Sequence, residues 1–503
     1  MATGAAAQQT APLSAIDWLG AVSLPVVQPR QGAQPAPAID EPPVTQGALV
    51  PDVSVAPLDA PVPDAVGLLP SATTGLPQDL WQNSRSSDLT ALIRAQKAPL
   101  LPALQELLYT LLLAEANPPE GAAQAGLMLL ARVDALISFG ALEPAEALLQ
   151  RAGPTTPELF SRWFDIALLT GTEEEACTAL LQRPSLSPGY AAQIYCTARA
   201  GDWETAALTL DTARALKLIT QTEDILLEVF LDPEADERLV QLAPPLQPTA
   251  LLYRLFEAGG IPLPTAILPR AFSMGDLRDT SGWKSELEAA ERLTVTGALA
   301  PNRLQAYYTA RKPAASGGIW DRVAAFQAFD SAFARRDLDA IAQTLSPAWE
   351  AMRAAHLELA FADLYGAALY QLVLSGTPRN LAYHIALLSQ DYEKAALSAR
   401  PLTRSDRFLT ALAKGAPADP HSPRAEAITA GFAPDAAPPA AIAALLDERR
   451  LGEAILRATA LLSQASGGDM VGITGAIATF RAVGLEATAR RAGLQMILLE
   501  RQS

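Results

Sequence analysis

The stretches Gly171-Thr172-Glu173-Glu174-Glu175-Ala176 and Gly201-Asp202-Trp203-Glu204-Thr205-Ala206 decide the fold. In each, a Gly is followed five places later by an Ala, and Gly140 with Ala145 does the same one unit earlier. The glycines stand at intervals of 31 and 30 residues, and Pro157 and Pro188 each follow an Ala by 12. A helical hairpin needs these residue types at this spacing. Gly takes the left-handed conformation that ends one helix, Ala lets the next helix lie close on it, and Pro opens the following unit. A unit of this length cannot bury its apolar face alone and must stack on its neighbours. The spacing therefore predicts an all-α chain, with repeat units over roughly 124–154, 157–184 and 188–218.

Composition agrees. Half of the 503 residues are hydrophobic, only 6% are aromatic, and Ala alone makes up about a fifth. Ala has the highest helix propensity and permits short interhelical distances, whereas a β-rich chain would alternate Val, Ile, Thr and Tyr. Leu104, Leu107, Leu108 and Leu111 mark the core face of a helix that Asn117-Pro118-Pro119 stops. Gln105 and Glu106 interrupt that apolar run. Thr172 with Glu175 reads as a capping box for one second helix, and Asp202 as the cap of the next. The spacing returns without its Gly at Tyr392/Ala395 and Leu451/Ala454, and with it at Gly484/Ala489.

The chain divides by composition. Residues 1–80 are Pro-rich and read as a disordered arm. Within it, Leu13 to Gly20 carries a capping box at Ser14 and Asp17 and a staple between Leu13 and Trp18, a short helix presenting Ile16, Trp18 and Leu19 to a partner or back to its own solenoid. Residues 88–225 hold the repeats, 226–412 continue as irregular helices, 413–438 read as a Pro/Ala loop, and 439–503 close the helical part.

The Gly201-x-Trp203-x-x-Ala206 step, with the Ala145/Pro157 and Ala176/Pro188 pairs, resembles the tetratricopeptide repeat. The family's earlier Gly is replaced by Val133, Phe164 and Ile194. That resemblance implies a right-handed superhelix of helical hairpins, a tetratricopeptide-like solenoid. Its first helices would line the inner face, which makes Arg162, Trp163, Tyr195 and Arg199 candidates for a partner groove. Across most of its length the chain also resembles an Ala-rich alphaproteobacterial family labelled antifreeze or antifreeze glycopeptide-related. The Ser14–Leu19 island, Trp163-Phe164-Asp165 and Gly318 to Arg322 carry this resemblance. Ice binding is what the label implies, yet Ala-Ala-Thr repeats and a Thr-x-Thr ladder are both missing. The family is similar, in turn, to helical periplasmic motility proteins that steady the flagellar stator.

Chemistry is sparse. The formal net charge of −16 repels phosphate backbones, and no basic stripe with interleaved aromatics offsets it, so nucleic acid is not an expected partner. There are three histidines: His356 and His384 read as hydrogen-bonded residues of apolar helices, and His421 falls in the loop. No zincin, nucleophile-elbow, Walker or dinucleotide motif occurs. The Gly317-Gly318 pair before Ile319, Trp320 and Asp321 reads as a loop meeting a helix start, with Trp320 buried. No cofactor, metal, small-molecule substrate or transmembrane segment is expected, and the chain reads as a non-enzyme. Cys177 and Cys196 lie on facing helices; they are either a disulfide or two buried thiols. Ala5-Ala6-Ala7 before Gln8 matches the end of a signal peptide, which would place the true start upstream and the protein in the periplasm; an ordinary Ala-rich start would leave it cytoplasmic. The expected function is a scaffold binding a protein partner in motility or envelope assembly. The superhelical part of a peptidoglycan-processing enzyme is the alternative.

Overall fold

A computed structural model describes residues 62–122, 126–234, 239, 242–401, 403–465 and 467–500. The island with Ile16, Trp18 and Leu19, and the start with Ala7, lie outside them. Among the described residues all regular structure is helical, apart from two isolated bridges.

The repeats form where the spacing places them. Among the described residues three α-helices precede them: α1 (Ser71–Thr74), α2 (Ser86–Ala95) and α3 (Pro102–Leu113). The repeats are α4 (Leu127–Phe139), α5 (Leu142–Ala152), α6 (Pro157–Thr170), α7 (Glu173–Gln182), α8 (Tyr190–Arg199) and α9 (Trp203–Ala215). Gly140, Gly171 and Gly201 all adopt φ between 81° and 90°, a region that costs any residue with a Cβ. Ala145, Ala176 and Ala206 are completely buried at the hairpin contacts. Asp202 caps α9 through the Thr205 amide, as its position predicts. The Thr172/Glu175 capping box does not form: the Thr172 hydroxyl pairs with that of Thr170 instead, at 2.9 Å.

Shorter and less regular helices follow, α10 (Gln221–Leu231), α11 (Ala250–Ala258), α12 (Ser273–Asp276), α13 (Trp283–Thr294) and α14 (Pro301–Thr309). They turn back on the repeats, with α11 and α12 packing on α6 and the Arg270–Phe272 turn on α4. Long hairpins resume with α15 (Ile319–Ala334), α16 (Leu338–Ala354), α17 (Glu358–Tyr370), α18 (Gly376–Leu388) and α19 (Tyr392–Ser398). The chain ends in α20 (Arg404–Ala413), α21 (Pro423–Gly431), α22 (Ala440–Asp447), α23 (Leu451–Ala465), α24 (Met470–Ala482) and α25 (Glu486–Leu498). Trp320 is half-buried rather than buried, leaning on Trp283 at 5.2 Å.

Two boundaries differ from the composition reading. The 413–438 stretch contains α21, whose Ala425 and Ile428 are completely buried and whose Gly431 packs on Ile477 of α24. Pro423 sits in its first turn, where a missing N–H is no loss, and Ser422 caps it by accepting from the Ala425 amide. The Pro-rich region is also folded from Val62 onward. Leu68 and Leu69 donate to the Leu113 carbonyl at 2.8 and 2.9 Å, and Glu115 donates back to Leu69. Further along, Asn117 donates to Gln78 and Glu120 to Ser84. Residues 62–86 thus lie as a strap beside the segment that follows α3. At Gly67 a Cβ would overlap the backbone of Ala114 and Glu115, so only Gly permits this approach.

The strap is locked by Arg132. Its guanidinium is fully buried and donates to the carbonyls of Leu112 (2.6 Å), Val66 (2.7 Å) and Ala114 (3.1 Å). Burial pulls it down to about 10, against the pull of the nearby Asp64 carboxylate. Asp64 accepts from the Leu129 amide at 2.8 Å, a cap for α4 supplied from 65 residues away.

The α2–α3 region meets α23 and α25. The Gly452 amide donates to the Leu80 carbonyl (2.9 Å), and Gln96 Nε2 to the Leu456 carbonyl (3.3 Å). Gln495 of α25 accepts from the Ala103 amide at 2.8 Å, capping α3. The helical path closes on itself.

Candidate functional site

The four groove candidates all make contacts within the fold. Trp163 is buried and meets Phe160 edge-on at 5.8 Å. Arg162 Nε donates to Asp134 of α4 at 3.0 Å. Tyr195 is 3% exposed, and its hydroxyl donates to Glu173 at 3.0 Å. Burial, together with that carboxylate, pushes the Tyr195 phenol up to about 12. Glu173 is itself buried and also meets Arg254 of α11 (3.2 Å) and Arg199 (3.7 Å). Burial would raise its carboxyl, but its own backbone amide, Arg254 and Tyr195 together hold it below the usual range. Of the four, only Arg199 keeps a well-exposed side chain. In this packing the first helices face other helices: α6 meets α11 and α12, and α8 meets α10, whose Phe230 stacks on Tyr195 at 5.1 Å.

The same hairpin carries the disulfide. Cys177 of α7 and Cys196 of α8 are bonded, both buried, with Cα atoms 5.0 Å apart. Replacing both by Ser removes a cross-link over 19 residues and should lower stability by about 3 kcal/mol, read as a fall in the urea midpoint. An unchanged midpoint would show that the bond adds nothing to the folded state.

A cleft opens where four distant parts of the chain converge. It has a volume of about 220 Å3 and lies between α3, the 294–301 turn, α17 and α25. A second lobe of about 240 Å3 adjoins it and shares Pro102, Val295, His356 and Leu359. Thr296 anchors the turn by donating to the Phe139 carbonyl at 2.7 Å. His356 occupies the tight connection from α16 to α17 at φ 60°, not a helix face. His384 is on a helix, as its setting predicts, and meets the Asp406 carboxylate at 2.8 Å.

Charge in the cleft is uneven. Glu106 of α3 and Arg491 of α25 pair at 2.5 Å. Asp363 of α17 is exposed into the cleft, where desolvation by the walls pushes its carboxyl up to about 6 against Arg491 and a backbone hydrogen bond from Gln390. Gln105 is 5% exposed, and neither its amide oxygen nor its nitrogen has a hydrogen-bond partner. Sequence reading found Gln105 and Glu106 only as interruptions of an apolar helix. It missed Asp363 and Arg491 because no local pattern joins residues so far apart.

Among the described residues no cluster of His, Cys, Asp and Glu is placed to hold a metal, and no helix is long and apolar enough to cross a membrane. No family model matches the chain, and no curated protein or solved structure matches it either.

Proposed function

We propose that this chain is a non-enzymatic helical-repeat scaffold of the periplasm that holds a protein partner, in motility or envelope assembly. The outer face of α9 carries the reading. Ala206, Leu210 and Ala213 are its buried side. Leu208 stands on the opposite side, 68% exposed, and Leu216, which caps the helix two turns further on, is 63% exposed. Paired leucines on an outer helix face add nothing to the core, and such patches mark interaction surfaces. Leu218, just past the helix, is exposed as well. The buried disulfide supports the compartment, because such bonds form and persist where the environment is oxidising.

Leu208→Asp with Leu216→Asp is the test. Both positions are exposed, so stability should change by no more than about 0.5 kcal/mol. Capture of a partner from envelope fractions should fall at least about tenfold relative to the unaltered chain, since each buried Leu contributes about 1.5–3 kcal/mol. Undiminished capture would remove α9 as the binding face. Recovery of stator proteins, with impaired swimming in a strain carrying the double variant, would place the scaffold in motility.

A further inference from the structure

We propose that the cleft between α3, α17 and α25 binds an alkylammonium group, its nitrogen at Asp363 and its carbon chain along Val295, Leu359 and Pro301. The lining makes the argument. Glu106 and Arg491 pair at 2.5 Å, so the cation nearest Asp363 is already engaged, and the Asp363 carboxylate, which accepts a backbone hydrogen bond from Gln390, is left with acceptor capacity facing the cleft. A carboxylate in such surroundings is stabilised by an opposite charge brought to it. Gln105 is more than nine-tenths buried on the same wall, with an amide oxygen and nitrogen that no protein group meets. Native proteins seldom leave buried polar atoms in that state, and its oxygen is a second acceptor for an ammonium. Val295, Leu299, Pro301 and Leu359 give the cleft an apolar side that suits methylene groups, with Thr294, Thr296 and Gln390 elsewhere on the wall. The volume of about 220 Å3 limits the ligand to a short chain.

The alkylammonium could belong to a free diamine or to the lysine of a partner. Calorimetric titration of the full chain with cadaverine, with acetyl-Gly-Lys-Gly-amide and with n-butyrate separates these. Saturable binding of cadaverine alone assigns a free amine, and binding of the peptide alone assigns a lysine; either supports the site. Asp363→Asn should weaken binding about ten- to hundredfold, the worth of a charge-assisted hydrogen bond. The unaltered chain supplies a check that needs no variant. The groups facing the site are Asp363, Glu106, Arg491, His356 and Tyr109. Asp363 loses its charge below about 6, so binding should weaken on going from about pH 7.5 to about pH 5. No binding of either amine, equal binding of n-butyrate, or affinity unmoved by both Asp363→Asn and pH would overturn the proposal. The α9 variants leave this cleft untouched, so the two proposals stand or fall separately.

Discussion

Arg132→Met should destabilise the folded chain by about 3–5 kcal/mol, the largest loss expected from any single charge removal in the strap region. Met fills much of the same volume, so the loss comes from polar groups rather than from a cavity. Three buried carbonyls, of Val66, Leu112 and Ala114, lose their common donor. Leu112 lies in the last turn of α3, where carbonyls have no partner within the helix and where a cation is favourable. Asp64, 1% exposed, would lose its nearest positive charge. Arg132→Lys should recover little, because a single ammonium cannot reproduce a fork aimed at three carbonyls. Urea unfolding checks both variants. A Lys variant as stable as the original chain would show that charge alone, without the fork, holds the strap.

What the sequence reveals here depends on distance along the chain. The Gly-to-Ala step is local: a left-handed Gly ends one helix, and five residues later an Ala meets it. Gly140, Gly171, Gly201 and Gly484 all behave this way. Caps are local too, but a cap has competitors. Thr172 is drawn to Thr170, while Asp202 has no such neighbour and caps as expected. Composition proves a weaker guide. Proline in 413–438 and in 62–80 suggests absence of structure, yet Pro423 starts a helix and the strap takes its order from Arg132 and from the backbone after α3. Trp163 and Tyr195 were expected in a groove because a repeat stack has an inner face. Their helices are covered by α10, α11 and α12, which nothing within the repeats announces. The cleft is the extreme case, since Glu106, Asp363 and Arg491 meet only once the path has closed.

Closure itself gives the other large prediction. Trp81→Ala should cost about 3–5 kcal/mol, the range for emptying a buried aromatic site. Trp81 is 1% exposed, and its ring lies on Gly452, where a Cβ would overlap it and would come within 2.7 Å of the Leu80 carbonyl oxygen. Its indole nitrogen has no hydrogen-bond partner, so the side chain acts by packing. The way the chain responds matters more than the total. An open stack of repeats contacts only its neighbours and frays from both ends. In a chain whose α2 and α3 rest on α23 and α25, the two ends protect each other. Amide exchange in the unaltered chain should therefore show α2, α3 and α23 to α25 as slow as α6. Gly452→Val leaves every apolar group in place but forces the seam apart, so it should speed exchange in α2 and in α23 together while α6 to α8 stay protected. Loss confined to α23 would mean that the ends are neighbours without being coupled.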